Sequence, residues 1–167
     1  MRREITGFSN PLLKEVRGLR EKKLRKRAGL FLAEGVRIMT EARDAGFLPE
    51  MLFRVKDREV HALEIALESA VLAAGYDVIE TNAEIMAKLS GKDNAQALVG
   101  VYRDHGTALE DIDRSQAPIW LVAQAMRDPG NLGTMLRTGD AVGAGGLILI
   151  DDCTDPFSVE AVRASMG

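Results

Sequence analysis

The sequence predicts an α/β protein built in two parts. Short apolar segments of strand length alternate along the chain with amphipathic segments of helical period, the pattern of helices packed on a sheet. A polar stretch over residues 103–118 has no period and ends in proline, which indicates a connection between domains. At 167 residues and 46% apolar composition, the chain suits one ordinary domain or two small ones. We therefore predict an N-terminal domain over 1–105, a linker over 106–117 and a second domain over 118–167.

Bulk composition excludes several classes of protein. The single cysteine, Cys153, excludes an internal disulfide and offers no metal cluster, so we expect no metal and a reducing, cytoplasmic location. No long apolar segment follows Met1-Arg2-Arg3, so neither a signal peptide nor a membrane span is predicted. The net charge of −3 by itself disfavours a nucleic-acid partner, but it averages two very different regions.

The first 27 residues are strongly basic. They hold ten Lys/Arg and three acidic residues, a net +7, so the rest of the chain carries −10. Asn10 and Pro11 suit a helix start, and an apolar stripe over 12–24 predicts one helix with a basic end, closed by Gly29. Two interpretations stay open: a solvated basic face, or a surface that binds phosphates. The candidate phosphate-binding side chains are Arg20, Lys22, Lys23, Arg25 and Arg27.

The remaining elements of the first domain alternate regularly. A long helix is predicted from an Asp57 cap to Gly75, with Val60, Leu63, Leu67, Ala70, Val71 and Ala74 facing inward. Its His61 is expected to face solvent. Strands are predicted over 30–33, 51–55, 76–80 and 97–102, and further helices over 35–45 and 82–89. The polar loop before the last strand contains Asn94, which could meet RNA or simply form a turn.

The second domain opens with the most informative stretch of the chain. A buried strand over 119–122 leads through Asp128-Pro129-Gly130 to a helix, with Asn131 as the expected N-cap. Gly133 lies four residues before Arg137, on the same face of the helix. The Arg137 side chain points toward the helix N-terminus, so we expect no side chain to cover the backbone beneath its guanidinium. A helix N-terminus with a nearby arginine can bind an anion, although an ordinary strand–turn–helix accounts for each residue separately. A strand over 147–150 and a helix over 159–165 follow.

This stretch, DPGNLGTMLRTGDAVGAGGLIL, resembles the first motif of the SpoU/TrmH family of RNA ribose 2′-O-methyltransferases, which belong to the SPOUT class. Asn131, Gly133 and Arg137 match that motif, and the resemblance implies that Asn131 and Arg137 are catalytic. DPFSVEAVRASMG resembles the opening of the family's second motif. Its matching positions are Arg163, Ser165 and Gly167.

The resemblance extends to the first domain. REKKLRKR followed by FLAEG resembles the L30e-like α/β sandwich that binds substrate in many family members, and Glu34 matches the family's acidic residue. The implied protein binds RNA, rRNA in particular, uses S-adenosylmethionine and acts as a homodimer when full-length. Residues 118–167 match about the first third of the catalytic domain. The expected second domain is therefore an incomplete parallel α/β unit without the knot and with most of the cofactor pocket missing, so the 167-residue chain alone is expected to be inactive.

Two other function classes compete with the methyltransferase. The chain could be an RNA-binding module without catalytic activity, which its basic segment alone would explain. A nucleotide-binding oxidoreductase fragment would fit the glycines at 143–146, but these precede their strand, whereas a dinucleotide-binding loop follows one. Asp151, Asp152 and Asp155 lack the spacing of an EF-hand.

Overall fold

The computed structural model describes residues 1–91, 97–106 and 108–166. The chain divides into two compact units, Met1–Arg103 and Asp104–Gly167. Each unit has its own sheet and its own helices. The α/β class expected from the sequence is confirmed.

A five-stranded mixed sheet forms the centre of the N-terminal unit. Its strand order is β1-β4-β3-β5-β2, with β1, β4 and β3 parallel to one another and β5 antiparallel to both of its neighbours. The strands are β1 (Arg2–Glu4), β2 (Leu30–Glu34), β3 (Met51–Val55), β4 (Asp77–Thr81) and β5 (Leu98–Arg103). Strands β2 to β5 lie within one residue of the segments that their apolar runs predict.

Helices cover both faces of this sheet. The successive residues Leu52 and Phe53 of β3 point to opposite faces, and both are fully buried. Such two-sided burial explains why the inner strands are continuous apolar runs rather than alternating ones. The helices are α1 (Pro11–Gly18), α2 (Lys22–Ala28), α3 (Val36–Asp44), α4 (Ala62–Ala73) and α5 (Ala83–Ser90).

The edge strand β1 has no signal in the sequence. Its three residues, Arg-Arg-Glu, are all exposed, so no apolar pattern marks them as a strand. Backbone pairing with β4 and ion pairs position it instead: the Met1 ammonium lies 3.1 Å from an Asp77 carboxylate oxygen, and Arg3 reaches the other oxygen at 2.9 Å. Hydrophobic periodicity cannot predict a strand that is held only by backbone pairing and by ion pairs.

Helix α4 departs from the predicted pattern. It begins at Ala62 rather than after Asp57, and the His61 ring nitrogen Nδ1 accepts the Leu63 N–H at 3.2 Å as its cap. Asp57 lies in the preceding turn with a positive φ of 54°. The predicted inward residue Leu63 is exposed, whereas Glu64 and Glu68 are buried beside Leu67 and Val71.

Arginines from neighbouring elements explain the buried glutamates of α4. Glu68 lies 2.8 Å from the Arg2 guanidinium and 3.3 Å from that of Arg54, and Glu64 pairs with Arg58. Arg54 also donates to Glu80 at 2.6 Å, and this hydrogen bond lowers the pKa of the Glu80 carboxyl below its usual range. Acids become acceptable on the inner face of this helix because Arg2 and Arg54 on the sheet and Arg58 after β3 neutralise them.

The C-terminal unit is smaller and has a two-stranded parallel sheet. Its elements, after two short 3₁₀ turns at Leu109–Asp111 and Arg114–Gln116, are β6 (Leu121–Gln124), α6 (Pro129–Ala141), β7 (Leu147–Ile150) and α7 (Val159–Ser165). Strand β6 starts two residues later than its apolar run predicts. The Trp120 indole lies over Gly145 and Gly146, where an added Cβ would come within 2.7 and 2.9 Å of the ring. Trp120 therefore packs on these glycines, and β6 begins at the next residue.

Candidate functional site

Helix α6 begins with Asp128 as its cap. The Asp128 carboxylate accepts the Asn131 N–H at 2.6 Å, and Pro129 occupies the first helical position. The prediction of Asn131 as the N-cap is therefore wrong. Proline sets the helical φ angle and has no N–H to lose, so the helix starts three residues earlier than a cap at Asn131 would allow. Asn131 lies inside the first turn, with its side chain exposed.

The exposed side of α6 carries the polar residues of the motif. Asn131 and Arg137 both lie on solvent-exposed positions, with Thr134 between them on the helix surface and Thr138 beside Arg137. The Thr134 hydroxyl donates to the Gly130 carbonyl at 2.9 Å. Leu132 on the opposite side is fully buried. The helix thus presents an amide, two hydroxyls and a guanidinium outward.

Gly133 lies where α6 and α7 meet. A Cβ at this position would lie 2.4 Å from the Ala161 carbonyl oxygen and 2.5 Å from the Ala164 methyl carbon. The sequence interpretation, that Gly133 leaves backbone bare for the Arg137 guanidinium, is therefore incorrect, because α7 covers this glycine. Gly133 instead lets the two helices approach closely, which fixes the orientation of α6 and of the polar residues it presents.

Helix α7 carries the residues of the second motif. Ser158 caps the helix by accepting the Ala161 N–H at 3.3 Å. Arg163 and Ser165 are half-buried, and the Ser165 hydroxyl donates to the Val162 carbonyl at 2.7 Å. Gly167 lies outside the described residues.

Side-chain hydrogen bonds connect the end of β6 and the loop after it with the loop after β7. Gln124 donates to Asp151 at 2.7 Å, and Arg127 to Asp152 at 2.7 Å. The buried Cys153 thiol lies 3.2 Å from the Ile150 carbonyl, and Ala125 has a positive φ of 51°. The carboxyl ends of parallel strands are the usual place for ligands in α/β sheets. Sequence reasoning missed these loop contacts, because their partners are about 25 residues apart in the chain.

The basic segment of the N-terminal unit forms two helices, and the prediction of one continuous helix is wrong. Helix α1 ends at Gly18, and α2 begins at Lys22 after the extended residue Glu21. The Arg25 guanidinium donates to the Leu19 and Arg20 carbonyls at 2.9 and 2.7 Å. These carbonyls would otherwise be left without partners at the helix end. Arg25 is buried, which argues against its direct contact with RNA.

Arg20 and Glu34 form an ion pair inside the same region. The Arg20 guanidinium lies 3.3 Å from Glu34, whose side chain is 0% exposed, and also donates to the Ser90 carbonyl at 2.5 Å. Arg20 itself is 26% exposed. Glu34 is thus placed to orient Arg20, and its burial argues against contact with RNA.

Three of the five candidate phosphate-binding cations are exposed and lie on α2. Lys22, Lys23 and Arg27 are exposed, and we call these three residues the basic surface. Their exposure leaves the guanidinium and ammonium groups open to solvent anions. Asn94, the remaining candidate for RNA contact, lies outside the described residues.

Two family models match the chain along most of its length. The model described as MRM3-like substrate binding domain matches residues 10–100, and that described as SpoU rRNA Methylase family matches residues 118–167. The chain belongs to the SpoU family. The family predicted from the Asn131–Arg137 motif is confirmed, and its members are S-adenosylmethionine-dependent rRNA methyltransferases.

Individual relatives agree with this assignment. The uncharacterized tRNA/rRNA methyltransferase slr1673 of Synechocystis is 32% identical over 98% of this chain and 58% of its own length. The 23S rRNA (guanosine(2553)-2′-O)-methyltransferase RlmP of Bacillus subtilis is 26% identical over 99% and 61%. The crystal structure of an AdoMet-bound rRNA methyltransferase from Sinorhizobium meliloti superposes with a TM-score of 0.86 at 37% identity, covering 99% of this chain and 61% of that one. The chain thus spans about three fifths of the length of these SpoU relatives.

One face of the two-stranded sheet carries exposed apolar side chains. Leu121 of β6 faces α6, so the alternate residue Val122 points to the other face of the sheet, as does Ile150. These two side chains are 55% and 42% exposed. A nucleoside cofactor needs a concave site that buries most of its surface, and residues 108–166 leave this face open.

Neither a membrane-spanning helix nor a metal cluster is found in the described part of the SpoU chain. None of its helices is long and apolar enough to cross a membrane. Within residues 1–91, 97–106 and 108–166, no group of three or more His, Cys, Asp or Glu side chains could hold a metal ion.

Proposed function

We propose that this chain provides the RNA-binding domain and the motif-bearing part of the catalytic domain of an rRNA ribose 2′-O-methyltransferase. The observation that carries the proposal is the arrangement of α6, which presents Asn131 and Arg137 at exposed positions while Gly133 packs against α7. RlmP, which aligns over 99% of this chain, is named for methylation of a ribose 2′-oxygen in 23S rRNA. The active form is proposed to be a homodimer.

Arg137 is assigned to the target nucleotide in this proposal. S-adenosylmethionine supplies an electrophilic methyl group in such a reaction, and the protein must align the ribose hydroxyl and stabilise the charge that develops on its oxygen. Arginine stays protonated and is therefore a poor base, but its planar fork suits a phosphate. Arg137 is thus proposed to bind the phosphate beside the reacting ribose, which aligns the hydroxyl and stabilises its developing negative charge. Asn131, in the first turn, can donate a hydrogen bond to the same nucleotide.

The N-terminal unit is assigned to RNA binding. The basic surface of Lys22, Lys23 and Arg27 can contact phosphates directly. The buried Arg25 holds the break between α1 and α2, and Glu34 orients Arg20. In this proposal the basic surface contacts RNA, whereas Arg20 and Arg25 stabilise the segment that carries it.

Loss of Arg137 should test the catalytic part of the proposal. In a chain extended to the length of its relatives, Arg137→Ala should remove most methyl transfer to rRNA, while calorimetry shows S-adenosylmethionine affinity nearly unchanged. The reason is that Arg137 acts on the transition state through RNA and does not hold the cofactor. Arg114→Ala, at an exposed arginine in a short turn, is the control and should keep full activity. A large loss of cofactor affinity in Arg137→Ala would overturn the assigned role.

Removal of the basic surface should test the RNA-binding part. The triple variant Lys22→Ala, Lys23→Ala, Arg27→Ala should bind rRNA fragments more weakly, and its affinity should depend less steeply on salt because fewer counterions are released. Lys56→Ala removes an exposed lysine that pairs with Glu4, and it should leave both quantities unchanged. Equal affinity and salt dependence in the triple variant and wild type would contradict the assignment.

The open sheet face favours a second candidate, an RNA-binding module without catalytic activity. Val122 and Ile150 leave that face uncovered in residues 108–166, so the 167-residue chain is expected to bind S-adenosylmethionine weakly or not at all. Calorimetry on this chain and on the extended form separates the two candidates. Tight binding by the extended form alone supports the enzyme. Absence of binding by both would favour the RNA-binding module.

A further inference from the structure

An exposed aromatic ring lies at the start of the basic segment. Phe8 is 45% exposed and sits in the turn before α1. The turn is well defined, because Asn10 N–H bonds to the Gly7 carbonyl at 3.3 Å and the Asn10 side chain caps α1 by accepting the Leu12 N–H at 3.0 Å. The backbone that carries Phe8 is therefore held in place, although the ring lies at the surface.

A lysine of α5 lies over this ring. The Lys88 ammonium is 3.8 Å from the Phe8 ring centroid, a cation–π contact. Lys88 is exposed, whereas its neighbours Met86 and Leu89 are buried in the core. The ring, from the turn before α1, and the ammonium, from α5, are thus presented together.

The C-terminal end of α5 lies close to both Phe8 and the segment between α1 and α2. The next residues after Lys88 bind Arg20, whose guanidinium donates to the Leu89 and Ser90 carbonyls. Arg20 follows α1, and the eight residues of α1 span roughly 12 Å. The end of α5 therefore contacts both Phe8 and Arg20, and Arg20 precedes the first residue of the basic surface, Lys22, by two positions.

We propose that Phe8 is a stacking platform for an unpaired RNA base, and that the N-terminal unit therefore recognises single-stranded RNA. The inference rests on the proposed function, in which this unit binds RNA. Bases inside a duplex are already stacked on one another, so an aromatic side chain on the protein surface can stack only on a base that is free. Lys88 and the basic surface contact the phosphates on either side of that base.

The test compares a fluorescently labelled oligouridylate with the same strand in a duplex with oligoadenylate, by fluorescence anisotropy on the 167-residue chain. Phe8→Ala should weaken binding of the single strand roughly 5- to 150-fold, the range expected for loss of one stacked base. Its affinity for the duplex should not change. Phe8→Trp should restore single-strand binding, because a larger aromatic ring keeps the platform.

Two controls separate stacking from charge and from general loss of surface. Lys88→Gln should reduce the salt slope for the single strand by about 0.7, the value for one phosphate contact, while Phe8→Ala should leave that slope unchanged. Phe47→Ala, at a 52% exposed phenylalanine between α3 and β3, should change neither quantity.

The outcomes distinguish this inference from the proposed function. If the wild-type chain binds neither the single strand nor the duplex, the proposed RNA-binding function is itself wrong. Wild-type binding that Phe8→Ala leaves unchanged, or weakens equally for single strand and duplex, would overturn the stacking role alone. Circular dichroism of each variant checks that the fold is retained, and failure of Phe8→Trp to restore binding in a folded chain would also count against stacking.

Discussion

Gly133 illustrates how a residue that only packs can determine the position of a functional helix. Its missing side chain lets α7 approach α6 so closely that an added Cβ would meet backbone atoms, the Ala161 carbonyl and the Ser165 nitrogen, at 2.4 and 2.8 Å. Backbone atoms in a helix cannot rotate away as a flexible side chain can. The outward direction of Arg137 on the same helix depends on this contact. Glycine here serves packing, not conformational freedom.

Gly133→Ala should therefore destabilise the C-terminal unit. Overpacking costs about 1–3 kcal/mol, and the gain in helix propensity from Gly to Ala is about 1 kcal/mol, so we expect a net loss of up to about 2 kcal/mol. Trp120, the single tryptophan of the chain, reports this unit in urea unfolding followed by fluorescence. Gly130→Ala is the control in the same helix, where an added Cβ meets only the Asp128 side chain, at 3.1 Å. Equal stability of the two variants would contradict the packing role.

At the scale of elements, the junction of α1 and α2 shapes the basic segment. Gly18 lies against Leu24, where an added Cβ would come within 2.9 Å of the leucine side chain, so Leu24 of α2 packs on the end of α1. Arg25 binds the carbonyls that the break exposes. The apolar stripe continues across the break, which explains why the sequence pattern indicates one helix. Two short helices present Lys22, Lys23 and Arg27 in a different direction from that of one straight helix.

Arg25→Met should destabilise the N-terminal unit without changing the C-terminal one. Its hydrogen bonds to carbonyls are charge-assisted, and each contributes about 1.5–3 kcal/mol, so a loss of at least about 2 kcal/mol is expected. Far-UV circular dichroism in urea measures this loss, while the Trp120 fluorescence transition should stay at the wild-type urea concentration. Lys26→Met, at the exposed neighbouring position, should shift stability by no more than about 0.5 kcal/mol. A similar shift in both variants would show that Arg25 has no special part in the junction.

At the scale of the whole molecule, the chain consists of two units with unequal cores. The N-terminal unit buries apolar side chains on both faces of a five-stranded sheet, whereas the C-terminal unit covers one face of a two-stranded sheet. Stability rises with the fraction of apolar surface removed from water, so the smaller unit should be the weaker one. We expect each unit to unfold with its own transition.

Urea unfolding of the wild-type chain should show this difference directly. Trp120 fluorescence follows the C-terminal unit, and far-UV circular dichroism is dominated by the helices of the larger N-terminal unit. The fluorescence midpoint should come at a lower urea concentration than the main dichroism midpoint. Coincident midpoints and slopes would indicate one cooperative unit instead.

The sequence by itself determined the α/β class, the family and the order of most elements, with β1 and the division of α1 from α2 as the exceptions. Strands β2 to β5, β7 and helix α7 follow from local signals, namely apolar runs and capping residues, which act over a few neighbours in the chain. The family followed from the spacing of Asn131, Gly133 and Arg137, because a motif is itself a local pattern.

Tertiary structure alone decided which polar residues are exposed and which hold the fold. Arg25 and Lys26 are adjacent and both basic, yet one is buried against carbonyls and the other is exposed. Glu64 and Glu68 face inward because Arg2, Arg54 and Arg58 come from elsewhere in the chain to meet them. The pairing of Phe8 with Lys88 joins residues 80 positions apart. A charge or a ring takes its role from the partners that folding brings to it, and those partners leave no mark on the local sequence pattern.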